Sequence, residues 1–255
     1  MIPVDYAWGL DSRAARVAGL SVCDLDTFVK AGFWNTRLHY GAVNDTEVFV
    51  CQDSRFIYVV PRGTEVGDEF SWRDVRTDLK FRRVELDSGL RVHRGFLHAW
   101  EEVADEVYED VRDRLNDNPT LQVVITGHSL GGAISTLAAL WLDFCTPYLI
   151  TFGQPRVGGD EFNYMVRREV KCWRRYVHRG DLITHVPFAL GYRHGGDMFY
   201  IGKERIMMNP GWWQVYGQNA LRFMRRALDH SMDKYRHRIA SAKVFSDQLW
   251  VGEER

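Results

Sequence analysis

Residues 121–140, LQVVITGHSLGGAISTLAAL, constrain the fold more than any other part of the chain. A β-branched run at 123–126 leads into a glycine-rich turn, and small and straight-chain residues that favour a helix follow. The order predicts a strand, a tight turn and a helix, with Ser129 at the turn. Gly127 and Gly131 are expected because a side chain at either position would crowd the neighbouring strand and helix. The helix would direct its N-terminal amides toward the space beside Ser129, which an acyl-transfer nucleophile requires.

The composition predicts a single α/β domain over residues 1–255 that does not bind nucleic acid. Of the 255 residues 45% are hydrophobic, and the formal net charge is −1, so no large positive field attracts polyanions. The four cysteines form no C-x-x-C pair, which argues against a zinc site or a redox motif. They are expected to be buried free thiols, with two disulfides as the alternative.

The sequence shows neither a signal peptide nor a membrane-spanning segment. Its first 20 residues lack a basic region followed by a long apolar stretch, and no apolar run approaches 18 residues. We therefore expect a soluble protein, either secreted or cytoplasmic, without a transmembrane segment.

The segments around the 121–140 unit alternate between strand-like and helix-like patterns. Two small helices are predicted up to residue 38, the second capped by Asp24 or Asp26. The other predicted elements are strands at 45–50 and 55–60, a hairpin at 81–93, one amphipathic helix at 95–115, a strand at 148–152, a helix at 160–170 capped by Asp160, and a strand at 173–178. This alternation predicts a mainly parallel central sheet flanked by helices.

Two backbone amides are candidates for stabilising an oxyanion beside Ser129. Thr64 follows the strand at 55–60 and could offer an amide and a hydroxyl, although an ordinary capping threonine is the alternative. Leu130, directly after the serine, would supply the second amide.

Two further segments carry aromatic residues that suggest contact with a substrate or with lipid. The polar segment 65–79 contains Trp72, which indicates a movable lid or a surface excursion in which Trp72 packs locally. Residues 209–228 place Trp213 on an apolar helical stripe, which indicates a helix packed on the core or a segment that docks on lipid.

A nucleophilic serine needs a base and an orienting carboxylate, which follow it along the chain in hydrolases of this type. Asp181 follows the strand at 173–178, at the end where ligand sites lie in open α/β sheets, and we select it as the acid. Two later histidines are candidates for the base. His230 lies at a helix start and is favoured by position over His194, which lies in a glycine-rich loop.

Between residues 45 and 235 the chain resembles the class 3 lipase family, the fungal-type triacylglycerol lipases and their bacterial relatives. The matching stretches are Arg62-Gly63-Thr64, Val92-His93-Arg94-Gly95-Phe96, 126–132, 151–158, 181–187, and Asp229-His230-Ser231-Met232 with Tyr235. The resemblance implies an α/β-hydrolase fold. It departs from the family at Pro61, where an aromatic is usual, and in its cysteines, which lack the fungal disulfide pattern and make the chain similar to a bacterial member.

Family site residues transfer to this sequence position by position. The resemblance implies Ser129 as nucleophile, Asp181 as acid and His230 as base. It also implies Thr64 and Leu130 as the oxyanion hole and a lid around Trp72, and it raises His230 above His194.

The implied activity is hydrolysis of carboxylic esters, most of all triacylglycerols, through an acyl-enzyme, with no metal and no cofactor. The partner would be a lipid or a small ester, met at a transient lipid–water interface. A phospholipase A1 and a feruloyl-type esterase are the alternatives. A non-catalytic binding protein on the same scaffold is disfavoured, because the serine, acid, histidine and threonine occur together.

Overall fold

A computed structural model describes residues 4–21, 23–63, 83–86, 88–179, 181–187, 191–202, 205–211 and 230–241. Thr64, the predicted lid at 65–79 with Trp72, and residues 212–228 of the C-terminal stripe lie outside this part of the chain. The described helices are α1 (Val4–Leu20), α2 (Leu25–Lys30), α3 (Arg94–Glu101), α4 (Ala104–Asp117), α5 (Leu130–Trp141), α6 (Asp160–Glu169) and α7 (Met232–Ser241). The described strands are β1 (Trp34–Gly41), β2 (Thr46–Gln52), β3 (Phe56–Pro61), β4 (Arg83–Glu85), β5 (Arg91–His93), β6 (Gln122–His128), β7 (Tyr148–Phe152), β8 (Cys172–His178), β9 (Asp197–Ile201) and β10 (Ile206–Met208).

The described strands other than β4 and β5 form one sheet with the order β1-β2-β3-β6-β7-β8-β9-β10. Its central strands, from β3 to β9, run parallel, whereas β1 and β2 on one side and β10 on the other pair antiparallel. Strands β4 and β5 form the predicted hairpin. The prediction of a mainly parallel central sheet is confirmed, and the carboxyl ends of β6, β7 and β8 lie side by side at one edge of it.

Helices cover both faces of the sheet, which explains why its central strands are apolar along their whole length. On β6, Val123 and Ile125 face the core under α3 to α6, where Trp100 is fully buried. Val124 points to the opposite core, which α1, α2 and α7 cover.

The first third of the chain differs from the prediction of two small helices. Helix α1 is 17 residues long, and the sequence from Trp34 already belongs to the edge strand β1. The polar residues of β1 disguise it, because Arg37 and His39 turn toward the buried carboxylate of Asp110 on α4. Asp24 caps α2, as predicted, by accepting a hydrogen bond from the amide of Thr27 at 2.9 Å.

Two helix predictions require correction. The single helix predicted at 95–115 is divided into α3 and α4, because Val103 leaves the helical conformation, with φ −123° and ψ −2°, while its side chain stays buried. Glu102, at the same break, accepts a hydrogen bond from the amide of Asn44 at 3.1 Å. Asp160 is the first residue of α6 rather than its cap, which is Gly159.

All four cysteines are free thiols, as predicted, although burial is complete for Cys51 and partial for Cys23, Cys145 and Cys172. Among the described residues no helix is both long and apolar enough to cross a membrane. In the same part of the chain no group of three or more histidine, cysteine or acidic side chains is placed to hold a metal ion.

Candidate active site

Ser129 occupies a strained turn between β6 and α5. Its backbone has φ 56° and ψ −124°, a conformation that non-glycine residues adopt at a cost of about 1–3 kcal/mol. The Ser129 amide donates to the carbonyl of Phe152 on β7 at 3.0 Å. A Cβ on Gly127 would lie 2.5 Å from the carbonyl oxygen of Gly131, and one on Gly131 would lie 3.0 Å from the carbonyl carbon of Arg62. The turn therefore requires glycine at both positions, as predicted.

The segment that ends β3 lies directly beside this turn. A Cβ on Gly63 would come within 2.6 Å of the carbonyl oxygen of His128 and 3.8 Å of the Ser129 Cβ. Thr64 is the next residue, so its predicted place beside the serine agrees with the position of Gly63, but its role stays a prediction. Leu130 is the first residue of α5, so its amide is one of the unpaired donors of a helix N-terminus.

Asp181 and His230 form a buried pair at the carboxyl ends of β7 and β8. The Nδ1 atom of His230 lies 2.8 Å from Oδ2 of Asp181, and the two residues are 3% and 0% exposed. Gly153, with φ +59°, provides the space, because a Cβ there would lie 2.8 Å from Asp181 Oδ2 and 3.0 Å from His230 Cε1. The alternative base, His194, instead bonds through Nε2 to the carbonyl of Thr184.

The surroundings of Asp181 keep it ionised. Burial raises the pKa of the Asp181 carboxyl, but the charge of His230 and hydrogen bonds from His230 and Tyr235 outweigh burial, so the pKa lies below its ordinary value. The amide of Ile183 also donates to Oδ1 at 3.0 Å. Since an ionised carboxylate can only accept, His230 carries its proton on Nδ1, and Nε2 is then the basic nitrogen.

Sequence reasoning missed two side chains of this site. Tyr235 donates its hydroxyl to Asp181 Oδ2 at 2.7 Å, and Nε2 of His128 donates to the carbonyl of His230 at 2.6 Å. The His128 and His230 rings lie 4.5 Å apart, which brings the base beside the residue that precedes Ser129. Burial and the nearby His230 lower the pKa of His128 to about 3, so His128 stays neutral.

A signal for each existed in the sequence. Tyr235 belongs to one of the stretches that resemble the family, and His128 is part of the turn motif itself. Neither could be assigned a role, because a buried tyrosine reads as an ordinary core residue and chain order excludes His128 as the base.

Comparison with known families places this architecture. The family described as "Lipase (class 3)" matches residues 58–191, more than half of the chain. The chain belongs to the class 3 lipase family. The match in this class 3 lipase includes Ser129 and Asp181 but ends before His230, so the place of the histidine rests on the tertiary structure.

Curated relatives of this class 3 lipase come from fungi. It is 36% identical over 181 residues to a lipase of Rhizomucor miehei, covering 66% of this chain and 47% of the relative. It is 41% identical over 120 residues to secreted mono- and diacylglycerol lipase 1 of Fusarium solani, covering 46% and 36%. The matched region thus spans less than half the length of these two relatives. The suggestion of a bacterial member stays a prediction.

Solved structures confirm the α/β-hydrolase fold. The lipase of Rhizopus microsporus var. chinensis superposes with a TM-score of 0.72 at 27% identity, covering 88% of this chain and 85% of that one. A structure described as showing that a serine protease triad forms the catalytic centre of a triacylglycerol lipase gives a TM-score of 0.73 at 26% identity, with 90% and 94% covered.

Proposed function

We propose that this class 3 lipase hydrolyses carboxylic esters, with acylglycerols as its main substrates, through an acyl-enzyme on Ser129. The observation that carries the proposal is the buried pair of His230 and Asp181, joined at 2.8 Å and linked through His128 to the strained serine turn. The substrate class is supported by the relatives, which are named as a lipase and as a mono- and diacylglycerol lipase.

In the proposed reaction, Nε2 of His230 takes the proton from the Ser129 hydroxyl as its oxygen attacks the ester carbonyl. The imidazole then gives this proton to the departing alcohol, and a water molecule releases the acid by the same route. Asp181 holds the Nδ1 proton in place and stabilises the imidazolium that forms. The amides of Leu130 and Thr64 would hold the oxyanion, and each such donor contributes about 10²–10³ in turnover.

The remaining parts of the proposal concern access to the site. We retain the single domain over 1–255, the lid at 65–79 with Trp72, and a transient lipid–water interface as parts of it. A bulky acylglycerol has to be withdrawn from such an interface before it can reach Ser129, and a lid with an exposed aromatic would serve that step.

The nucleophile is tested with Ser129→Ala, using Ser135→Ala on the same helix as the control. Ser135 is fully buried and its hydroxyl donates to the Gly131 carbonyl at 2.7 Å, so its loss affects packing but not the reaction. Hydrolysis of p-nitrophenyl butyrate should fall by about 10⁴-fold or more in Ser129→Ala. The control should stay within a few-fold of the parent and should still be labelled by a fluorophosphonate. Activity or labelling that survives in Ser129→Ala would refute the proposal.

The substrate class is tested with the same preparation on emulsified tributyrin and triolein, phosphatidylcholine vesicles and methyl ferulate. We expect the highest kcat/KM on the acylglycerols. Preference for the vesicles would replace the acylglycerol part of the proposal by a phospholipase A1, and preference for the ferulate by a feruloyl-type esterase.

A further inference from the structure

One oxygen of Asp181 accepts two hydrogen bonds from α7 and the residues just before it. Oδ2 lies 2.8 Å from Nδ1 of His230 and 2.7 Å from the hydroxyl of Tyr235. We propose that Tyr235 is a positioning residue whose hydroxyl sets the proton affinity of the Asp181–His230 pair and the direction of its carboxylate. The inference rests on the proposed function and adds a fourth side chain to the predicted serine, acid and base.

The direction of the Tyr235 hydroxyl is fixed by its second neighbour. The backbone amide of His178, at the end of β8, donates to the phenol oxygen at 2.9 Å. Because that amide can only donate, the single hydroxyl hydrogen of Tyr235 is left for Asp181. The phenol therefore connects the last residue of β8 to the carboxylate that lies three residues further along the chain.

Packing prevents the Tyr235 ring from turning away. The side chain is fully buried, and its ring lies 6.1 Å from that of Phe152, 5.7 Å from His178 and 5.8 Å from His128. Burial and the charge of Asp181 raise the pKa of the Tyr235 phenol well above its ordinary value, so the phenol remains a donor at any working pH.

The charge of Asp181 explains why a second donor matters. Before the reaction His230 is neutral, and the buried carboxylate has only hydrogen bonds to replace water. Once His230 holds a proton, its positive charge satisfies the carboxylate directly. A donor on Asp181 thus stabilises the neutral-histidine form more than the protonated form, and so lowers the proton affinity of the pair.

Tyr235→Phe tests this role, since it removes the hydroxyl and keeps the ring. We expect kcat for p-nitrophenyl butyrate to fall about tenfold while KM changes less than about twofold. The acid limb of kcat/KM against pH should move to higher pH by about half a unit, because a carboxylate that lacks one donor lets the pair take up a proton more readily.

Tyr176→Phe is the matched control. Tyr176 is also a fully buried tyrosine, and its hydroxyl donates at 2.7 Å to a buried aspartate, Asp11, away from the site. Both variants lose a comparable buried hydrogen bond, so they should lose similar stability, but Tyr176→Phe should keep the parent's acid limb. The inference is refuted if the two variants share one pH profile and one kcat.

A second substitution keeps packing intact and reverses the sign. 3-Fluorotyrosine incorporated at position 235 is a stronger donor, so the acid limb should move to lower pH, which a purely structural role would not produce. An acid limb that stays in place or moves upward would refute the inference.

A spectroscopic measurement separates this inference from the proposed activity. The Nδ1 proton between His230 and Asp181 should give a downfield proton NMR signal in Ser129→Ala, and adding Tyr235→Phe should shift it. If the parent hydrolyses none of the esters yet the signal shifts, the proposed function fails and the role of Tyr235 stands. An unchanged signal would count against Tyr235 alone.

Discussion

At the scale of single residues, Gly153 shows how a position without a side chain makes room for the acid and the base. Its φ of +59° and the 2.8 Å that would separate a Cβ from Asp181 Oδ2 are independent demands for glycine. Gly153→Ala should therefore lower kcat/KM by about 10²-fold, because a displacement of about 1 Å in the pair disrupts the proton transfer. The measurement is hydrolysis of p-nitrophenyl butyrate by variants whose folding is checked by circular dichroism.

Gly32→Ala separates backbone strain from this steric effect. Gly32 has φ +86°, and a Cβ there would meet nothing within 4 Å. It should incur the same strain of about 1–2 kcal/mol and leave activity unchanged. Equal activity losses in both variants would show that Gly153 acts through strain alone.

At the scale of elements, α1 lies before the family match but is attached to the sheet by a buried ion pair. Asp11 on α1 accepts from Arg174 on β8 at 2.7 Å and from Tyr176 at 2.7 Å. Burial raises the pKa of Asp11, although the charge of Arg174 opposes it. Helix α1 also packs against α7, where a Cβ on Gly19 would meet the side chain of Arg236. The N-terminal helix thus supports the helix that follows His230.

Asp11→Ala should reduce the free energy of unfolding by about 3–5 kcal/mol, since it removes the carboxylate from a buried guanidinium. Urea denaturation measures this loss. On α4, Arg112 and Glu109 form a pair with side chains 45% and 52% exposed, and Arg112→Ala should cost about 1 kcal/mol or less. A loss for Asp11→Ala no larger than for Arg112→Ala would show that the pair does not attach α1.

At the scale of the whole molecule, buried neutral histidines make the fold sensitive to mild acid. Burial lowers the pKa of His93 to about 4, and burial together with His230 lowers that of His128 to about 3. Burial also lowers the pKa of His194 well below its ordinary value. The unfolded chain, with histidines near pKa 6.5, therefore binds protons first as the pH falls. Stability should be complete above about pH 6.5 and should be lost from there down to about pH 4.

Each such histidine should contribute a slope of about 1.4 kcal/mol per pH unit to the free energy of unfolding in that window. His93→Gln should lower the slope by about this amount in urea titrations between pH 6 and 4.5. His237→Gln, on the exposed face of α7, should leave the slope unchanged. A slope for His93→Gln equal to that of the parent would contradict the assignment.

Local sequence spacing determined much of this molecule. The order of strand, glycine turn and helix around Ser129, and the boundaries of β3, β6, β7 and β8 to within two residues, follow from periodicity and turn chemistry. Asp181 could be selected because the end of a parallel strand marks the site edge of the sheet. These features depend on residues that are neighbours along the chain.

The tertiary structure alone decided the features that depend on distant contacts. Position and resemblance favoured His230, but its bond to Asp181 spans 49 residues, and the bond from Tyr235 spans 54. Strand β1 and the division between α3 and α4 also escaped prediction, since Asp110 and Asn44 satisfy polar groups that read as helical or solvent-exposed. A buried polar side chain is placed by whichever partner replaces its water, and packing, not spacing along the chain, supplies that partner.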